Sequence, residues 1–186
     1  MGISLITAPT AYPVTLDEVK AQCRVDGTAD DTALNGYIAA ATDYVEQYTG
    51  RAIMAQTWKL TLDAFSDSIL LPKGPVQSIS AVQYFNAEGV ETTLLPEFYT
   101  LDASDPAWIV RNSGSAWPET LDAINAVSIT YVAGYSQTPA AIKQAILLLV
   151  GDWFRSRENT ALGSNQPSEM PHAVTALLAN YRAFGF

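Results

Sequence analysis

Cys23 and His172 are the chain's one cysteine and one histidine, and they form the single thiol–imidazole pair from which a nucleophile and its base could be drawn. Cys23 shares a helical face with Leu16 and Val19, which reads as a small buried hydrophobe, not an activated thiol. Asp30 and Asp31 could open a metal site, but no further oxygen ligands follow at calcium-loop spacing; at the head of a helical segment they read as dipole-complementing residues. One cysteine and one histidine leave too few soft ligands for zinc or an iron–sulfur cluster and allow no internal disulfide. The 19 Asp and Glu residues include no pair whose spacing singles it out for acid–base work. The sequence lacks G-x-x-x-x-G-K-[ST], G-x-G-x-x-G and G-x-S-x-G, the patterns that cradle phosphates or raise a serine nucleophile. No catalytic, cofactor-binding or metal-ligating residue is expected.

Two other residue sets could recognise a partner. The four tryptophans and nine tyrosines could line a groove for a sugar or a peptide, although Trp58 alternates correctly for a strand and Tyr37, Tyr44 and Tyr48 fall on one helical stripe, as core residues do. Arg155 and Arg157 follow an apolar helix in the one stretch that is not acidic. They either complement the helix C-terminus or pair with an acidic partner.

The elements that must position these residues are legible in the periodicity. Thr15-Leu16-Asp17-Glu18 is a capping box opening a short helix that ends near 25–27. A second helix starts at Asp30-Asp31, carries Leu34, Tyr37, Ile38, Ala41, Tyr44, Val45 and Tyr48 on one face, and stops at Gly50. From Thr57 the pattern alternates. Strands are expected at 57–63, 69–71, 76–85, 90–95, 98–101, 108–111 and 126–132, with a tight turn at 86–89, giving a compact antiparallel sheet or barrel. Thr138 as N-cap and Pro139 as first helical residue open a helix to about Arg157. Ile142, Ala145, Ile146, Leu149 and Trp153 form one stripe of it, while Leu147, Leu148 and Val150 fill the opposite side. Such a helix is either the centre of a core or is covered on its far side by another subunit. It is too short for a membrane span of roughly 20 apolar residues. A loop at 158–168 leads to a last helix from about Pro171 with Val174, Leu177, Leu178 and Tyr181, and then to a tail containing Arg182, Phe184 and Phe186. The fold class expected is α+β, with helices at 1–56, a β-rich unit at 57–137, and closing helices and tail at 138–186.

The net charge is −9 and is unevenly spread. Residues 1–56 carry three basic and seven acidic side chains, residues 57–138 three and nine, and residues 139–186 four and three. Tight nucleic-acid binding requires a basic surface that releases counterions from phosphates, so DNA should bind weakly or not at all. The N-terminal segment MGISLITAPTAYP has neither the basic start and apolar core of a secretory signal nor a myristoylation pattern, and use in a cytoplasm is expected.

The order of VTLDEVKAQCRVD, DDTALNGYIAAATDYVEQYTGRAI, QTWKLTLDAF, LPKGPVQSISAVQYFNAEGV, ITYVAGY and IKQAILLLVGDWFRSRE resembles the head-tail connector (adaptor) proteins of tailed bacteriophages, also found in prophages and gene transfer agents. The resemblance covers about residues 13–184. It implies a structural virion protein without cofactor: a ring, typically of twelve subunits, in the virion neck between the portal and the stopper or tail completion proteins, with DNA passing through its channel. In that frame a helical connector core surrounds an inserted antiparallel β unit. Leu147, Leu148, Val150, Arg155 and Arg157 would form the subunit interface, and Tyr181, Arg182, Phe184 and Phe186 would dock on the portal. The alternatives are a neck stopper or tail completion protein, and, from another class, a small aromatic-rich ligand-binding or hydrolytic β module.

Overall fold

The computed structural model describes residues 1–156 and 171–183. Its described elements are, in chain order, β1 (Gly2–Thr7), α1 (Leu16–Cys23), α2 (Asp31–Thr49), β2 (Gln56–Leu62), β3 (Ser68–Leu71), β4 (Val76–Phe85), β5 (Glu91–Thr93), β6 (Tyr99–Asp102), β7 (Ala107–Arg111), β8 (Val127–Ala133), α3 (Ala140–Arg155) and α4 (His172–Leu178). The fold is α+β. The chain divides into two compact units, residues 1–10 with 54–136 and residues 11–53 with 137–186.

The β unit holds two antiparallel sheets instead of one, a five-stranded sheet in the order β1-β2-β8-β4-β5 and a three-stranded sheet in the order β3-β7-β6. The seven strands expected from alternation are present, and β1 is an eighth that sequence reading left unassigned. Directly paired residues share a face, so the register of the large sheet draws two apolar rows across it. Ile3, Leu60, Ile129 and Val82 form one row; Leu5, Trp58, Tyr131 and Ile79 form the other. Leu60, Ile129, Tyr131 and Val82 are buried, as are Ile69, Leu71 and Ile109 of the small sheet. The opposite face of the large sheet carries Ser4, Lys59 and Thr130, and Thr61, Ser128 and Gln83. At the hairpin between β4 and β5, Asn86 Oδ1 accepts from the Glu88 and Val90 amides, while Gly89 adopts φ 77°, a value glycine reaches without steric cost.

The helical unit begins with the capping box. Thr15 Oγ1 accepts from the Glu18 amide at 3.2 Å and Glu18 Oε2 accepts from the Thr15 amide at 2.7 Å. Helix α1 stops at Arg24 in the left-handed region, two residues before the turn at 26–27. In α2 the fully covered face is Leu34, Ile38, Ala41 and Val45, joined by Thr42 and Thr49, whose hydroxyls donate to the Ile38 and Val45 carbonyls four residues back. That local satisfaction lets two hydroxyls sit in the core. The α2 tyrosines lie beside this face; Tyr44 remains 40% exposed. Asp30 takes the N-cap position without a side-chain capping bond, whereas Asp31 pairs with Lys20 at 2.5 Å.

The α3 start differs from expectation by one residue. Pro139 is the N-cap, not the first helical residue, because its ψ of 142° is extended, and its carbonyl accepts from the Ile142 and Lys143 amides. Helix α3 ends at Arg155 with Ser156 as C-cap. Ile142, Ala145, Ile146, Leu149, Val150 and Gly151 are buried, and α4 contributes Val174 and Leu178 to the same unit's core.

Candidate functional site

Helix α3 has two faces, and they differ from the sequence reading at one position. Leu147 and Leu148 are half-buried. Val150, expected beside them on the outward side, is 0% exposed and offers no surface to a neighbour. Three apolar residues on one side of a helix look equivalent by spacing alone; the wider contact of α3 with its own unit takes the third. Arg155 is exposed at the C-terminal end, where a cation complements the helix dipole. Arg157 lies outside the described residues.

Leu148 and Arg155 line a notch of about 160 Å³ with Gln22, Gly151, Asp152, Pro171 and Ala173. Arg155 and Gly151 also border a larger cavity of about 510 Å³ whose other walls include Cys23, Arg24, Asp26, Asp30 and Phe154. His172 is not among its walls, so the cavity does not unite the thiol with an imidazole. Its two arginines and two aspartates give it mixed charge. Among the described residues no group of three His, Cys, Asp or Glu could hold a metal ion. No described helix is long and apolar enough to cross a membrane.

On the same unit, Trp153 packs edge-on against Tyr44 with centroids 6.2 Å apart and tilted against Tyr37 at 6.5 Å. This cluster joins α2 to α3 as packing. In the β unit, Phe65 stacks on Trp117 at 4.7 Å and meets Tyr84 edge-on at 5.8 Å. Trp58 lies beneath the Lys73 ammonium, 5.6 Å from its ring centroid, a cation–π contact.

The described part of the tail is tied to α2. Gly50 ends that helix with φ 72°. Arg51, only 7% exposed, donates through Nε to the Tyr181 carbonyl at 2.6 Å, and the Ala183 amide donates to the Thr49 carbonyl at 2.7 Å. Arg182 lies over the Tyr48 ring at 5.2 Å. The segment YTGRAI thus has a physical role: a left-handed stop, a cation at the carbonyl end of α2, and two buried apolar residues, Ala52 and Ile53, with the Ile53 amide held by Glu46 Oε1 at 2.7 Å. Sequence reading missed Arg51. Its only signal was an arginine immediately after a helix-ending glycine. Tyr181 and Arg182 are therefore engaged within the chain, and Phe184 and Phe186 lie outside the described residues.

Residues 14–184 match the model of the head completion protein family, and the chain belongs to that family. No curated protein sequence matches it. Solved structures are similar over its whole length. One, from the neck of an empty gene transfer agent particle computed with C6 symmetry, is 25% identical with a TM-score of 0.77, covering 100% of this chain and 97% of that one. Another, from the virion of a native gene transfer agent particle, is 26% identical with a TM-score of 0.78 and the same coverage. A third, from the neck of the native particle computed with C12 symmetry, is 26% identical with a TM-score of 0.74.

Proposed function

We propose that this protein is a structural component of a virion neck, a head-tail connector that forms a ring between the portal and the stopper or tail completion proteins. The observation that carries this reading is full-length similarity to chains of gene transfer agent necks, two of them from reconstructions with six-fold and twelve-fold symmetry. The ring proposed has twelve copies, a reading that the twelve-fold reconstruction supports. In a cyclic ring each copy presents two different surfaces to its neighbours. Leu147, Leu148 and Arg155 supply one of them, with Arg157 continuing it. The helical unit is then the connector core, and the β unit meets the next tail component.

The acidic surface suits a channel through which DNA slides without adhering. The tail completes the assignment. Its backbone at 181–183 is anchored on α2; portal docking is assigned to the surface that Tyr181 and Arg182 present, with Phe184 and Phe186 as further docking residues. A structural role makes catalysis unnecessary.

Sedimentation of the protein alone and with the purified portal oligomer tests the reading. Co-sedimentation as a defined ring supports it. A protein that stays monomeric and unbound beside the portal returns the choice to a stopper, a tail completion protein or a ligand-binding module.

A further inference from the structure

The polar face of the five-stranded sheet carries a cavity of about 180 Å³ whose walls include Lys59, Gln83, Phe85, Glu91, Asn125 and Ser128. The strand register gathers them. Ser128 of β8 pairs directly with Gln83 of β4, and Phe85, two residues further on, pairs with Glu91 of β5, so these four side chains share one face. On the other flank Ser128 pairs with Thr61 of β2, which puts Lys59, two residues earlier, on the same face. Asn125 joins from the loop before β8, where it holds φ 58° and its amide donates to Asp63 Oδ1 at 2.9 Å. Ser128 is only 8% exposed. Among the described residues, no hydrogen bond or ion pair engages the side chains of Lys59, Gln83, Glu91, Asn125 or Ser128. Buried hydroxyls and amides are normally paired inside a fold; here five polar side chains converge on one cavity and the fold uses none of them.

We infer that this cavity is a binding site for a neutral sugar ring, a single pyranose unit. The wall chemistry selects it. Lys59 is a cation and Glu91 a carboxylate on the same wall, so a bare ion of either sign would meet a like charge. An apolar molecule would strip the Ser128 hydroxyl and two side-chain amides of water and return no hydrogen bond. Each hydroxyl of a pyranose both donates and accepts, which matches an ammonium donor, a carboxylate acceptor and amides that do both. Its C–H face needs an apolar partner, and Phe85, 38% exposed, presents an aromatic surface at the rim. The cavity has room for several water molecules, whose places the hydroxyls of one ring take. This inference does not rest on the ring-shaped assembly, since the cavity is built entirely within the β unit.

The test is heteronuclear NMR of the full chain titrated separately with the methyl glycosides of glucose, galactose, mannose and N-acetylglucosamine. At least one should give saturable shifts clustered at Lys59, Gln83, Glu91, Asn125 and Ser128. Ser128→Ala and Gln83→Ala should each weaken that glycoside by about tenfold, the effect of losing one hydrogen bond, while the rest of the spectrum stays unchanged. The inference is overturned if none of the four glycosides saturates, if the shifts cluster elsewhere, or if both variants bind as the natural chain does. Glycine provides the remaining comparison, because a zwitterion also answers one cation and one carboxylate. Tighter binding of glycine than of every glycoside would overturn the inference and make the cavity an amino-acid site. If Ser128→Ala unfolds, Gln83→Ala at its half-buried position and the titrations of the natural chain still decide.

Discussion

Thr15 and Glu18 satisfy each other's backbone amides at the start of α1, and this residue-level device makes a quantitative expectation. Thr15→Ala should lower stability by about 1 kcal/mol in denaturant titration. Glu18 is held below the usual carboxylate range first by the Thr15 amide and then by the Lys143 ammonium. A depressed carboxylate stabilises the fold above its unfolded pKa, and that contribution is lost as pH falls through the folded value. The gap between natural and Glu18→Gln stabilities should therefore shrink on acidification through the lower carboxylate range; a gap constant with pH would contradict this assignment. Gly134 is a second sensitive residue. It sits at φ 127°, and a Cβ there would overlap the Met54 carbonyl. Gly134→Ala should cost about 3 kcal/mol or more, which explains the glycine of the VAGY block in terms of backbone approach. Tyr131 lies nearby in the same sheet. Burial raises its pKa, and its hydroxyl donates to the Pro72 carbonyl at 2.8 Å, tying β8 to the segment after β3.

Among elements, α3 and the tail carry the proposed assembly contacts. Leu148 is half-buried on a notch wall, so Leu148→Glu should keep the fold within about 1 kcal/mol and abolish ring formation; a folded variant that still joins rings would remove α3 from the interface. Deleting residues 183–186 removes the Ala183–Thr49 hydrogen bond with the aromatic pair. It should abolish portal binding with a small fall in melting temperature, and a large fall with portal binding retained would make the tail an intramolecular brace. The capping box, the α2 core stripe, its glycine stop and seven strands were legible in the sequence because each is a local signal: a cap spacing, a period of 3.6 or a period of 2. The strand β1 was not. Ile3, Ser4 and Leu5 alternate for only three residues before the bulge at Ile6, and their meaning depends on pairing with a strand more than fifty positions away. The same limit hid the anchoring of Tyr181 by Arg51 and the burial of Val150, since a helical wheel shows which side a residue occupies but not how far its own unit wraps around it.

At the scale of the whole molecule, family membership, full-length similarity to neck chains and an excess of acidic residues all fit the proposed assembly. With a net charge of −9, the protein should give no electrophoretic shift of duplex DNA at low salt, and sub-micromolar binding with a steep salt dependence would contradict a passive channel. The central claim is the ring itself. Electron cryomicroscopy of the protein mixed with its purified portal tests it most directly: the account expects twelve-fold density of this chain stacked on the portal around an open channel, and portal particles bare of it under saturating protein would contradict it.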